Sequence, residues 1–376
     1  MSVQFEKQSY LNLDSQPLAG TTFSNWFRVL RDNRFQISWP FLPKALYVSV
    51  MIAALAPLRF KENRFCQKHC DAIEVPTPIF IVGHWRSGTT FLHYLMGKDP
   101  NLAYVSTMET LAPNVFLTNQ DFLHKYMRER LPTRRPMDNL ELHADLPYED
   151  EYALANMDPF SFYHGWYFPR NIVEYFQKYV LYKDVPQNVV DVWGRDYTHF
   201  LKKIAYLKPG KRVLLKSLVN TAKIKHLLEL FPDAQFIHIH RHPYDVYKST
   251  WKLYRSILPL FSFQHVDFNQ LDRAIIRMYR DLFEQYLKER SLISKENLFE
   301  FGYSEFVANP LESLRKIYSH FKLDGFAEAE PHFQEYIDFH KNYQKDKYIL
   351  GEDDREKIRR HWGFMFEEFG YDPNKK

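Results

Sequence analysis

Between positions 83 and 90 the chain reads Gly-His-Trp-Arg-Ser-Gly-Thr-Thr, a string suited to holding an anion. A tight loop feeding a helix N-terminus offers several backbone N–H groups, and the helix dipole favours negative charge there. The spacing Gly83-x4-Gly88 is that of a nucleotide P-loop, but Thr89 stands where the P-loop lysine is expected. The cation comes earlier instead, as Arg86, while Ser87, Thr89 and Thr90 supply hydroxyl donors. A second cation, Arg241, follows the apolar run Gln235 to His240, and Ser249 comes eight residues later. Together they can clamp a phosphate by charge and hydroxyl donation. An ATPase needs an acidic residue at a strand end to hold magnesium. Arg241 occupies that position, which suits a second anionic group and not a metal.

These residues need strands and helices to place them. Ile79-Phe80-Ile81-Val82 is a continuous apolar run, as expected of a strand buried on both faces of a parallel sheet. Phe91, Leu92, Leu95 and Met96 then repeat at helical spacing, giving strand, loop and helix in that order. Val213-Leu214-Leu215 is a second strand, ending in Lys216-Ser217, and Asn220 is the expected cap of a helix carrying Ile224, Leu227, Leu228 and Phe231. Gln235–His240 is a third strand, with a helix beginning near Tyr244. Leu271 to Leu282 marks an amphipathic helix, and Leu298 to Phe301 an edge or fourth strand. Asn309-Pro310 opens a last helix, the proline at its first position. Strands alternating with helices predict an α/β fold: a P-loop-like parallel sheet flanked by helices, with helical insertions. Residues 1–75 read as a helical extension with an irregular start, packed on an α/β domain over 76–376. Within that domain, 110–205 is the expected acceptor-side helical insertion.

Bulk properties exclude several classes. A net charge of +4 without a long Lys/Arg run argues against nucleic acid as a partner. The 32 Phe and 25 Tyr point to an aromatic-packed core, with part of the surplus available to line an apolar pocket. Cys66 and Cys70 share a helix face without a Cys/His set to complete a zinc site, so free thiols in a reducing compartment are expected. The N-terminus lacks the apolar core of a signal peptide, which predicts a cytoplasmic protein. Ala45 to Pro57 is too short to span a bilayer and reads as a buried helix; the alternative is an interfacial helix making peripheral membrane contact.

The loop, the strand ending in Arg241, and Ser249 resemble the sulfotransferase superfamily, in particular the group containing the protein-tyrosine sulfotransferases and many uncharacterised bacterial enzymes. Pro78 to Pro100, Leu214 to Ser249 and Phe299 to Phe321 carry the resemblance. It implies sulfonate transfer from 3′-phosphoadenosine 5′-phosphosulfate (PAPS), with the bisphosphate PAP as product and no metal. Arg86, Ser87, Gly88, Thr89 and Thr90 fall on the family's phosphosulfate loop, and Arg241 with Ser249 on its 3′-phosphate site. His242-Pro243 departs from the more usual acidic-Pro or Asn-Pro. Lys216 matches a lysine that, with Arg86, stabilises charge on the bridging oxygen. The general base implied is Glu109, in Met108-Glu109-Thr110, although its spacing from Pro100 is about two residues longer than in the family. Glu149 and Glu151, in the cluster Glu149-Asp150-Glu151, compete with it, as does His143. The acceptor is a small-molecule hydroxyl compound, and the aromatic run Phe160 to Phe168 favours an apolar or aromatic one over a charged glycan. The other readings are a P-loop kinase or ATPase, and a nucleotide-binding module without catalysis.

Overall fold

The computed structural model describes residues 2–3, 12–13, 16–341 and 350–374. Most of the irregular N-terminal start, residues 4–11, lies outside them. The chain divides into two compact units, one made of 1–76, 105–210 and 253–274, the other of 77–104, 211–252 and 275–376.

The second unit holds a five-stranded sheet: β1 (Ile79–Gly83), β2 (Leu102–Tyr104), β3 (Arg212–Lys216), β4 (Gln235–His240) and β5 (Leu298–Gly302). The order is β2-β3-β1-β4-β5 and every pairing is parallel. All five residues of β1 are buried, as its unbroken apolar run requires of the central strand. Because β1 lies between β3 and β4, the loops leaving all three emerge side by side at their carboxyl ends, the usual ligand-binding edge of an open α/β sheet. Register makes this concrete: Ile81 is opposite Lys216 and Gly83 opposite Ile239.

One sequence expectation needs correction here, and one strand is additional to those expected. Asn220 does not cap the following helix. Leu218–Ala222 forms a 3-10 turn, the helix Ile224–Leu230 begins after Lys223, and the Asn220 carbonyl accepts from the Lys223 N–H. The strand β2 had no counterpart in the sequence reading, because three residues after Pro100-Asn101 give too little pattern to register.

The first unit is almost wholly helical. Its core is aromatic: Trp166, Trp193, Tyr163, Tyr167 and Tyr197 are fully buried. The aromatic run therefore packs inward from Ser161 to Phe168, with Phe160 half-buried, since these large rings bury the most apolar area. Helix Leu42–His69 is 28 residues long, and Glu62 on it forms a buried ion pair with Lys203. Breaking such a pair from one side costs roughly 3–5 kcal/mol, because the remaining charge stays buried. The expectation that Ala45–Pro57 is a buried helix holds for one face only. The most apolar 18-residue stretch of this helix is just 33% buried. Cys66 and Cys70 are both buried free thiols, and burial pushes Cys66 up to about 12, so it stays protonated and unreactive.

Candidate active site

In the second unit the loop after β1 is shaped by two glycines. At Gly83 (φ +146°) a Cβ would lie 2.5 Å from the Ile239 carbonyl oxygen of β4. The Thr221 hydroxyl ties this corner down, donating to the Gly83 carbonyl at 2.7 Å and accepting from the Gly83 N–H at 2.8 Å. Gly88 (φ +96°) precedes helix Thr89–Met96, and a Cβ there would meet the Tyr303 ring at 2.4 Å. Between them Arg86 takes a left-handed φ of 73°, uncommon for a residue with a side chain. Strain of that kind collects at binding sites.

That conformation brings the predicted donor-side residues together. Arg86 Nε donates to Ser249 Oγ at 2.8 Å, and Arg241 Nη1 donates to the Arg86 carbonyl at 3.1 Å. The Arg241 guanidinium lies 4.5 Å from the centre of the Tyr303 ring and pairs with Asp245 at 3.5 Å. Lys216 reaches Thr90 Oγ1 at 3.5 Å. Among the residues just named, three cations accompany one carboxylate, and that carboxylate is already paired. Ser87 Oγ and Ser217 Oγ are buried there without a hydrogen-bond partner among the described residues. A buried hydroxyl left unsatisfied costs about 1–3 kcal/mol, so both fit a ligand rich in acceptor oxygens. His84 is neutral: burial pushes it down to about 4, and Nδ1 sits 2.9 Å from the Trp85 carbonyl. Tyr303, which packs against both Gly88 and Arg241, was missed in the sequence. Its place directly after a strand end was the available signal.

The four candidate bases belong to the first unit, and each carboxylate is already engaged. Glu109 closes a capping box on helix Thr107–Leu111: Ser106 N donates to Oε2 at 2.6 Å, and Ser106 Oγ accepts from Glu109 N at 3.3 Å. Lys208 Nζ sits 2.9 Å from Oε1 and 3.0 Å from Oε2. Ser106-x-x-Glu109 is the sequence signature of such a box. Glu149 accepts from the Tyr163 hydroxyl. Glu151 accepts from Ser161 Oγ at 2.6 Å and from Phe162 N at 3.2 Å. His143 is exposed, 3.9 Å from Asp145.

The same unit contains an apolar cavity of about 150 Å³, partly open to solvent. Tyr47, Met51 and Leu55, one helical turn apart on Leu42–His69, form one wall; Leu111, Phe122 and Tyr126 contribute to the rest. No residue of the 160–168 run lines it.

Residues 78–328 match the Sulfotransferase family. The chain is 32% identical over 356 residues to the omega-hydroxy-beta-dihydromenaquinone-9 sulfotransferase Stf3 of Mycobacterium bovis, covering 94% of this chain and 90% of that protein. The protein of the same name from Mycobacterium tuberculosis matches equally. Among solved structures, sulfotransferase STF9 from Mycobacterium avium superposes with a TM-score of 0.69 at 19% identity, covering 94% of this chain and 97% of that one. Sulfotransferase STF1 from Mycobacterium tuberculosis gives 0.59 at 19% identity, covering 90% and 91%. At that identity the two structures speak for the fold. The chain belongs to the sulfotransferase family and is an enzyme of sulfonate transfer. The kinase or ATPase reading is not favoured.

Proposed function

We propose that this enzyme transfers the sulfonate of PAPS to a hydroxyl at the end of a long apolar lipid of the prenylated quinol type, acting from the cytoplasm. The observation that carries the donor half is the Arg86–Ser249–Arg241 cluster around the loop Gly83–Thr90. Arg86, Ser87, Gly88, Thr89 and Thr90 hold the phosphosulfate; Arg241 and Ser249 hold the 3′-phosphate. The acceptor half rests on the apolar cavity and on the relatives that act on an omega-hydroxy-dihydromenaquinone.

In the reaction the acceptor oxygen forms a bond to sulfur as the bond from sulfur to the bridging oxygen breaks. The acceptor's proton passes to a carboxylate, for which we put forward Glu109, and PAP leaves. Arg86 and Lys216 offset charge growing on the bridging oxygen, the service preorganised donors perform best in a water-poor site. Sulfonate carries less negative charge than a phosphoryl group, so fixed cations suffice.

Thermal shift tests the donor half. PAP without magnesium should raise the melting temperature, by about 2.7 kcal/mol of stabilisation at a hundredfold excess over its Kd. Arg241→Ala should shrink that shift. Stabilisation by ATP with magnesium but not by PAP would refute the assignment.

A further inference from the structure

The side of helix Leu42–His69 that faces away from the cavity is apolar and bare. Leu46 is 67% exposed and Val50 56%, with Leu42 and Phe60 exposed at either end. From Leu42 to Phe60 no exposed side chain carries a charge. Helix Phe23–Asp32, joined to Leu42–His69 by the Trp26–Ser49 hydrogen bond, and the segment linking the two helices carry exposed Phe23, Phe27, Phe35 and Trp39. Arg28, Arg31 and Arg34 lie exposed among them, against one exposed acid, Asp32. None of the described residues covers this surface. Soluble monomers rarely leave so large an apolar patch open unless something binds it.

We propose that this surface docks on an anionic lipid bilayer, with helix Leu42–His69 lying in the membrane plane. The inference deepens the lipid-acceptor reading by naming where the acceptor is met. Aromatic and aliphatic side chains on one face, edged by arginines, are the composition of an interfacial helix. The basic edge decides between occupants. Two copies of this chain apposed through the patch would bring like charges together, whereas anionic headgroups complement them.

The inward face fixes the helix in the plane. Lys44 Nζ donates to the Pro259 and Leu260 carbonyls at 2.8 Å each, Trp26 Nε1 donates to Ser49 Oγ at 3.1 Å, and Glu62 pairs with Lys203. A helix so held cannot be surrounded by lipid, although Trp39–His69 is long and apolar enough to cross a bilayer. Cavity size points the same way. A volume of about 150 Å³ resembles an apolar cavity that holds one benzene ring. It has room for the hydroxyl end of a long lipid and not for the whole of one.

The test is vesicle flotation of the full chain with phosphatidylcholine alone and with phosphatidylglycerol added. The wild type should float with the anionic vesicles and lose binding as salt rises. Leu46→Glu with Val50→Glu should weaken partition roughly tenfold or more, and Arg28→Glu with Arg34→Glu should remove the preference for anionic lipid. An unchanged PAP-induced thermal shift shows that both variants are folded. Three results would overturn the proposal: no flotation, a dimer in light scattering that Leu46→Glu with Val50→Glu splits in the absence of vesicle binding, or carbonate-resistant insertion. Flotation is read without acceptor. Its failure alongside continued sulfation of a detergent-dispersed lipid alcohol would sink the docking and spare the acceptor reading.

Discussion

Glu109 is asked to do two jobs, and the geometry shows how they separate. Its carboxylate caps a helix through the Ser106 N–H and meets Lys208. Glutamine still accepts the capping hydrogen bond, so Glu109→Gln keeps the box while removing the negative charge. Turnover should fall by about 100-fold or more for loss of a general base, with PAP affinity unchanged. Full activity in Glu109→Gln would move the proton acceptor to Glu149 or Glu151. Glu109→Ala also loses the cap, about 1 kcal/mol, and so confuses the two roles. The residue types at the donor loop were legible in advance, because a Gly-bounded string with Arg, Ser and Thr has few other uses. The capping role is equally legible as Ser-x-x-Glu, and the same carboxylate serves either reading.

Among the elements, β1 and β4 were readable because their apolar runs are long and bounded by turn residues. What their sequences did not reveal is how closely they approach: Gly83 nearly touches the backbone of Ile239, and Gly88 the ring of Tyr303. Gly88→Ala puts a methyl into that ring and forces a positive φ on a residue that resists it, at a cost of order 1–2 kcal/mol for the backbone alone. The loop should deform before the sheet does. PAP binding should therefore weaken at least tenfold while circular dichroism stays near wild type. An alanine variant that binds PAP normally would show that the loop tolerates displacement of Tyr303. The helix Leu42–His69 was harder to read. Its stretch Ala45–Pro57 is apolar on nearly all sides, which predicts full burial in a soluble chain, and only the structure shows that one side has none of the described residues over it.

Over the whole molecule, the residues proposed to hold the donor and the cavity proposed for the acceptor fall in different compact units. The strand, loop and helix that carry the proposed donor residues were legible because their patterns are short and contiguous. The cavity was not, because its walls come from segments as distant as Gln16, Tyr47, Leu111 and Phe261, and no local pattern joins them. The aromatic run at 160–168 lines none of it, because density of rings says nothing about which way they face. The division of labour can be checked by filling the cavity. Met51→Trp should raise KM for a prenyl alcohol several-fold and leave the PAP thermal shift unaltered. A loss of PAP binding instead would show that the two sites are not separable. The anchors at Lys44 and Glu62 carry a kinetic consequence. With the helix pinned flat at both ends, the enzyme samples a two-dimensional solution: its rate follows the mole fraction of acceptor among the surrounding lipids. Dilution with inert phospholipid should then act as a competitive inhibitor that never enters the cavity.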